Sequence, residues 1–208
     1  MELAIDTATA ACSAALIVDG TAIHAASETV GRGHAERLAP MIEEVLRAAG
    51  DVRPDSILVD CGPGSFTGVR VGLAAAIGLG IGWGIPVRGF SSLSLIAASL
   101  FAGDMAAASC AVALNGGHGE LFVQRFAARP FATLSDLVSL PPDLAALVPD
   151  EIVAGAGAAA LIAARGSGVA IDLSPDAAGV TLLPPAFRML PPKPIYGRAP
   201  DARPAVAA

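Results

Sequence analysis

The sequence predicts an α/β chain of two lobes that open alike, and three observations carry the prediction. Runs with strand and helix patterning alternate over the first hundred residues in the order β-β-β-α-β-α-β-α. Residues 109–126 begin again with a hairpin like the one that opens the chain. Ile57-Leu58-Val59 is apolar throughout, the composition of a strand covered on both faces.

Taken in order, Leu3 to Asp6 is expected as a short strand running into Thr7-Ala8-Thr9. Cys12 to Val18 is the second strand, Asp19-Gly20 closes a tight hairpin, and Thr21 to Ala26 returns as the third. Leu38, Met41, Ile42, Val45, Leu46 and Ala49 recur at helical spacing, with Gly50 as the stop. Pro40 is placed in the first turn of that helix, where its missing N–H leaves no gap in the ladder. The glycine-rich loop 62–68 leads into a long helix from Val69 to about Trp83. Ile85 to Val87 is a strand, and Ser91 or Ser92 caps a helix through Ala102. In the second half, Ser109 to Leu114 and Glu120 to Phe126 are hairpin strands around Asn115-Gly116-Gly117. Glu151 to Ala154 is a strand, and an Ala-rich helix runs to Arg165. Residues 130–149 are marked by prolines and yield no assignment, and the proline- and alanine-rich tail after Pro184 is expected to end in disorder. The chain thus divides into an N-terminal lobe, 1–103, and a smaller C-terminal lobe, 104–208. Two halves that begin alike suggest the duplicated architecture of actin, hexokinase and the sugar kinases, in which the cleft between halves binds nucleotide phosphates on the turn after strand one.

Composition narrows the function. The chain has 208 residues, enough for a sizeable core, and is 54% apolar but only 4% aromatic, so packing relies on aliphatic side chains and close backbone approach. A net charge of −6 and singly scattered basic residues, with loose pairs Arg32/Arg37 and Arg198/Arg203, give no basic stripe for gripping phosphates. Any service to RNA chemistry is therefore expected to be indirect, through a partner that holds the RNA. Cys12, Cys61 and Cys110 are far apart and form no C-x-x-C pair, which points to a reducing compartment and away from disulfides or zinc. The start, Met1 to Asp6, lacks the basic region of a signal peptide. The uncharged runs Val71 to Val87 and Gly89 to Gly103 each fall short of the ~20 residues of a bilayer span, and Pro86 and Arg88 interrupt them. No membrane association and a cytoplasmic location are expected.

Several motifs carry two readings. Asp6-Thr7-Ala8-Thr9 either faces a phosphate, with the carboxylate placing a metal or a water, or closes a β-turn by bonding its own backbone. The stretch from Gly62 to Gly72, Gly-Pro-Gly-Ser-Phe-Thr-Gly-Val-Arg-Val-Gly, ends at a helix N-terminus, a natural anion site, although it lacks the Gly-Lys-Ser/Thr ending of a P-loop. Asp6, Thr7, Ser65, Thr67 and Gly68 are the candidate nucleotide or anion contacts. Arg70 is either an anion ligand or a surface charge. Gly72, Ala76, Gly80 and Gly84 fall four residues apart and make a small-residue face, for packing within the chain or against a second subunit. His24, His34 and His118 are isolated, and no H-x-x-x-H, H-E-x-x-H or G-x-S-x-G is present, so no metal site and no catalytic set is expected. Glu120 is a lone carboxylate with acid–base chemistry.

In order and spacing, Ala4-Ile5-Asp6-Thr7-Ala8-Thr9, Cys12 to Leu16, His34 to Ile42, Gly62 to Ala74 and Gly89-Phe90-Ser91-Ser92-Leu93 resemble the TsaB (YeaZ) family over about the first 100 residues. The resemblance implies an actin-like, ribonuclease-H-like fold and a dimerisation subunit of the bacterial machinery that makes threonylcarbamoyl-adenosine in tRNA. It implies a heterodimer with the catalytic paralogue TsaD, joined by the ATPase TsaE, and also admits a homodimer of the isolated chain. TsaD carries an H-x-x-x-H metal site shortly after its equivalent of Gly89; here Ser92-Leu93-Ser94-Leu95-Ile96 stands in its place. The family's contact uses its first two helices, which implies Met41, Ile42, Val45, Arg70, Gly72, Leu73, Ala76 and Gly80 as interface residues. No cofactor is expected on this chain alone, with ATP or ADP assignable to the subunit boundary. The second half departs from the family: of an expected D-A-R-x-x-E-V-Y-like segment only Glu120 and its strand remain, while Pro194 to Pro200 keeps a likeness to a P-x-Y-L-R ending. Two other classes stay open at this stage. A stand-alone sugar kinase or ATPase would use Asp6 and the glycine loop, and a metallopeptidase would need bound metal.

Overall fold

The computed structural model of the chain describes residues 1–103 and 107–197. In the first lobe, β1 (Glu2–Asp6), β2 (Ala11–Val18), β3 (Thr21–Thr29), β4 (Ser56–Asp60) and β5 (Val87–Phe90) form one sheet in the order β3-β2-β1-β4-β5. The hairpin strands pair antiparallel, whereas β1, β4 and β5 run parallel through helical crossovers. In the second lobe, β6 (Ser109–Asn115), β7 (Leu121–Ala128), β8 (Phe131–Thr133), β9 (Val138–Leu140), β10 (Ile152–Ala154) and β11 (Val169–Ile171) form a sheet in the order β11-β10-β6-β7-β8, with β9 also on β7. Strand for strand, the second order repeats the first, with β6 in the place of β1. This is the duplicated actin-like fold. The second copy is the smaller, since β8, β10 and β11 have three residues each.

Three helices follow the first strands: α1 (His34–Ala48), α2 (Phe66–Trp83) and α3 (Ser92–Ala102); α4 (Pro142–Ala145) and α5 (Ala158–Arg165) belong to the second lobe. Helices α1 and α2 cover one face of the first sheet, burying Leu38, Met41, Val45, Val69 and Leu73 against Leu3, Ile5, Leu16 and Val59. Helix α3 lies between the two sheets. Leu95 and Ala98 pack on the first-lobe side, and Leu93, Ile96, Ala97 and Leu100 meet the second sheet. Burial on opposite sides explains why the helix has no polar stripe.

The structure moves several expected boundaries. Helix α1 begins at His34, so Pro40 is its seventh residue and not in the first turn; the ring is exposed, where water can reach the carbonyl it leaves unpaired. Helix α2 begins at Phe66, a turn earlier than Val69, because the Ser65 hydroxyl caps it by accepting the Gly68 N–H at 3.2 Å. It ends on Gly84, left-handed at φ 66, and the following strand starts at Val87 instead of Ile85. By length and composition α2 could cross a membrane; in this fold one stripe of it lies on the sheet. Residues 130–149 contain β8, β9 and α4. The segment 177–195 returns to the first lobe, where Ala177 N–H donates to Ser13 Oγ at 2.9 Å, Gly89 bridges Leu190, and Ile195 N–H donates to Cys61 O at 2.8 Å. Arg198 and the tail expected to be disordered lie outside the described residues.

Candidate functional site

The turn after β1 and the glycine loop after β4 lie together at the head of the first sheet. Asp6 closes the turn, its Oδ1 accepting the Ala8 N–H at 2.8 Å. Thr7 Oγ1 donates to Gly68 O at 2.8 Å, and Ser65 N–H donates to Ala8 O at 2.7 Å. The loop approaches so closely that a Cβ at Gly64 would meet the Ala8 carbonyl and one at Gly68 the Thr7 carbonyl. Glycine is required by this contact of two backbones. Asp6, Thr7 and Gly68 are therefore brought together, but all three are buried, with Thr7 bonded to Gly68 and Asp6 to Ala8. Ser65 and Thr67 stay exposed at the start of α2.

Sequence reasoning missed the partner of Asp6. Asp60 ends β4, the parallel neighbour of β1, at the position level with Asp6. Its Oδ1 accepts the Gly62 N–H at 2.7 Å and the Ser92 hydroxyl at 2.8 Å. The Oδ2 atoms of Asp6 and Asp60 are buried without another partner. Burial first, and then the Asp60 charge beside it, hold the Asp6 carboxyl well above the ordinary range, while burial pushes Asp60 up to about 7. The signal available beforehand was a carboxylate at the same end of two adjacent apolar strands.

The other candidates fall elsewhere. His34 is buried, and its Nε2 lies 2.9 Å from Thr9 O and 3.3 Å from Ala11 O, so that nitrogen is the donor and ties α1 to the first hairpin. Glu120 accepts the Ser139 hydroxyl at 2.6 Å. Burial pushes the Cys12 thiol up to about 11 and those of Cys61 and Cys110 to about 12, which makes all three poor nucleophiles. Among the described residues no cluster of three metal-ligating side chains occurs.

The small-residue face of α2 is corrected by the structure. Gly72 packs on Thr7 and Val59, and Gly80 packs on Val87 and the Ile85 carbonyl, so this face seats the helix on its own sheet. Met41, Ile42, Val45, Leu73 and Ala76 are likewise buried in the chain's core. Of the expected interface residues only Arg70 is exposed. The opposite face of α2 carries Phe66, Ala74, Ile77 and Ile81 at the surface, with Phe66 at 67% and Ile81 at 79% exposure. The Arg70 guanidinium stacks 3.3 Å above the Phe66 ring and donates to Tyr196 OH at 2.9 Å, tying the C-terminal segment to this face.

Comparison with known proteins fits this architecture. The family model for TsaD, tRNA N6-adenosine threonylcarbamoyltransferase, matches residues 24–137, more than half of the chain. The tRNA threonylcarbamoyladenosine biosynthesis protein TsaB of Escherichia coli is 45% identical over 97 residues, 46% of this chain and 42% of that protein. The aligned region thus spans less than half the length of this relative. An uncharacterised protein of Mycobacterium tuberculosis is 32% identical over 97% of this chain and 93% of its own length. The solved structure of YeaZ from Pseudomonas aeruginosa superposes with a TM-score of 0.80 at 30% identity, covering 94% of this chain and 98% of that one. With the motif run of the first lobe, the duplicated sheet and these likenesses, the chain belongs to the TsaB (YeaZ) family, inside the wider family that the TsaD model describes.

Proposed function

We propose that the chain is a non-catalytic subunit that pairs with TsaD and holds it in a competent arrangement for threonylcarbamoylating the adenosine beside the anticodon, in tRNAs that read codons beginning with A. The observation that carries this reading is the exposed apolar face of α2. A helix that presents Phe66, Ile77 and Ile81 to solvent is suited to being covered by another polypeptide. The neighbouring exposed face of α1, with Ala35, Ala39 and Pro40, widens the same surface. TsaE joins the pair, and ATP or ADP sits at the boundary near Ser65 and Thr67, at the open N-terminus of α2. The tRNA is held by the partner, because the chain is acidic. The complex works in the cytoplasm.

The test is co-purification of the chain with TsaD of the same cell, sizing of the product, and assay of tRNA modification with and without the chain. A stable pair that modifies tRNA, beside an isolated chain without turnover, is the expected outcome. If the purified chain alone hydrolyses ATP, or ignores TsaD at high concentration, the reading is wrong.

A further inference from the structure

The repeat of the two sheets puts α4 where the first lobe has α1. Each follows the strands of its hairpin and precedes the parallel strand beside the central one. Helix α1 has 15 residues and covers β2 and β3, whereas α4 has 4 and packs on β7 and β9. At 1.5 Å per residue the first is about 22 Å long and the second about 6 Å. The outer face of the second sheet is therefore short of most of a helix.

The side chains beside α4 show the gap. Val138 stands opposite Val123, which is buried with Leu121 and Leu161 under α4 and α5. Leu134 donates its N–H to Arg125 O at 2.8 Å, and Arg125 lies two residues from Val123 on the same strand face. Leu134 and Val138 thus share the outer face, while Leu137 turns inward to the core around α3. Both outward residues are exposed, and Leu144 and Leu147, on and just after α4, are 48% and 78% exposed. Four large aliphatic side chains around one short helix make a patch, unlike apolar residues scattered singly over a surface.

Its charge is of one sign. Asp136 and Asp143 are exposed among these residues and make no ion pair within the described chain. The basic side chains on this side are engaged, Arg125 with Asp150 and Arg165 with the carbonyls of Val148 and Asp150. A second copy docked face to face would set these aspartates against themselves. The sequence 198–208, interrupted by Pro200 and Pro204, has no helical patterning to fill the gap.

We propose that this face of the second lobe docks an amphipathic helix of another protein, about three turns long and basic along its flanks. Its apolar side chains lie on Leu134, Val138, Leu144 and Leu147, and its Lys or Arg residues meet Asp136 and Asp143. The contact is separate from the one proposed at α2.

Fluorescence anisotropy on the whole chain tests it. The probe is a labelled helical peptide of about 15 residues with leucines on one face and lysines beside them; the control has glutamates for the lysines. Saturable binding of the lysine peptide is expected, with a Kd at or below about 100 μM, and the glutamate peptide should bind at least about tenfold more weakly. Leu144→Ser with Leu147→Ser should weaken the lysine peptide by at least about tenfold. Asp136→Asn with Asp143→Asn should weaken it by about fivefold at low salt. Ile81→Ser on α2 should leave it within about twofold. A melting curve verifies each fold, and if one pair of substitutions fails to fold the other still decides. No saturable binding at about 500 μM, binding undiminished in the folded variants, or an equal loss in Ile81→Ser overturns the proposal. So does displacement of the probe by a synthetic peptide of residues 198–208, or an isolated chain that sizes as a dimer until Leu144 and Leu147 are replaced, since either would assign the face to this chain itself.

Discussion

The two faces of α2 invert the usual arrangement of a helix at a protein surface. The stripe nearest the sheet and the turn below it is made of small residues, Gly68, Gly72, Ala76 and Gly80, with Val69 and Leu73 buried beside it. The exposed face carries large apolar residues, Phe66, Ile77 and Ile81. Glycine in a helix is unfavourable by up to ~1 kcal/mol against alanine. Where a Cβ would collide with Thr7 or Val87, that loss is offset by close packing of helix on sheet. Size is therefore a poor guide to which face is interior; what matters is the distance between backbones. The equivalent helix of the second lobe, α5, has 8 residues against 18 and exposes no comparable row of large apolar side chains.

The sharpest way to break this comparison is Gly72→Leu. The added side chain has to enter the space held by Thr7 Oγ1, and a loss of about 3 kcal/mol or more is expected, read by urea denaturation. A variant as stable as the parent would show that the helix can lift off its sheet. The exposed face should respond in the opposite sense. Ile81→Glu is expected to leave stability within about 0.5 kcal/mol and to weaken capture of TsaD at least about 30-fold, roughly 2 kcal/mol, by titration calorimetry. Unchanged affinity would remove α2 from the proposed contact.

Beneath the buried face, the carboxylate pair sets a pH dependence. Both pKa values are raised in the folded chain, so the folded form keeps protons that the unfolded form releases. The stability tied to the pair is complete below the ordinary carboxyl value of 3.8 and is lost as pH rises toward about 7. Asp6→Asn preserves the acceptor for Ala8 and offers Asp60 an N–H. It should flatten the stability–pH curve between about pH 4 and 7 and raise stability at about pH 8 by about 1 to 2 kcal/mol. Denaturation at the two pH extremes measures this, and an equally sloped curve in the variant would mean that burial of Asp6 does not set the slope. The smallest effect is expected at Gly78, where a Cβ would meet no atom within 4 Å. Gly78→Ala should raise stability by up to ~1 kcal/mol. A fall in TsaD affinity in the same variant would reveal that the partner's backbone needs that space.

Much of this molecule could be read before its folding was known. The hairpin at Asp19-Gly20, the parallel crossovers and the second hairpin opening at Ser109 all follow from local patterning, which records how a segment meets one neighbouring layer. Residues 130–149 could not be read, because β8 and β9 are three residues long and owe their extended form to pairing with β7. The candidate contacts Asp6, Thr7 and Gly68 were legible as a group. That they are sealed against one another was not, because closure depends on a bond between Thr7 and Gly68, 61 residues apart. The face of α2 was illegible for a related reason. A helix apolar all round gives periodicity no contrast, so nothing in it marks which stripe meets the sheet.

By itself, the order of residues determined the alternation of strands and helices, the duplicated opening, the absence of a basic stripe, and the glycines without which loop 62–68 could not touch the turn after β1. These are properties of short segments and of total charge. Only the tertiary structure decided that Asp6 lies beside Asp60, that the C-terminal segment closes over the first lobe to complete a pocket at Ser91 and Ser94, and that Gly68, Gly72 and Gly80 of α2 point inward while Ile77 and Ile81 point out. Each of these depends on the distance between residues remote in the chain, which packing of the layers sets and local preference does not encode.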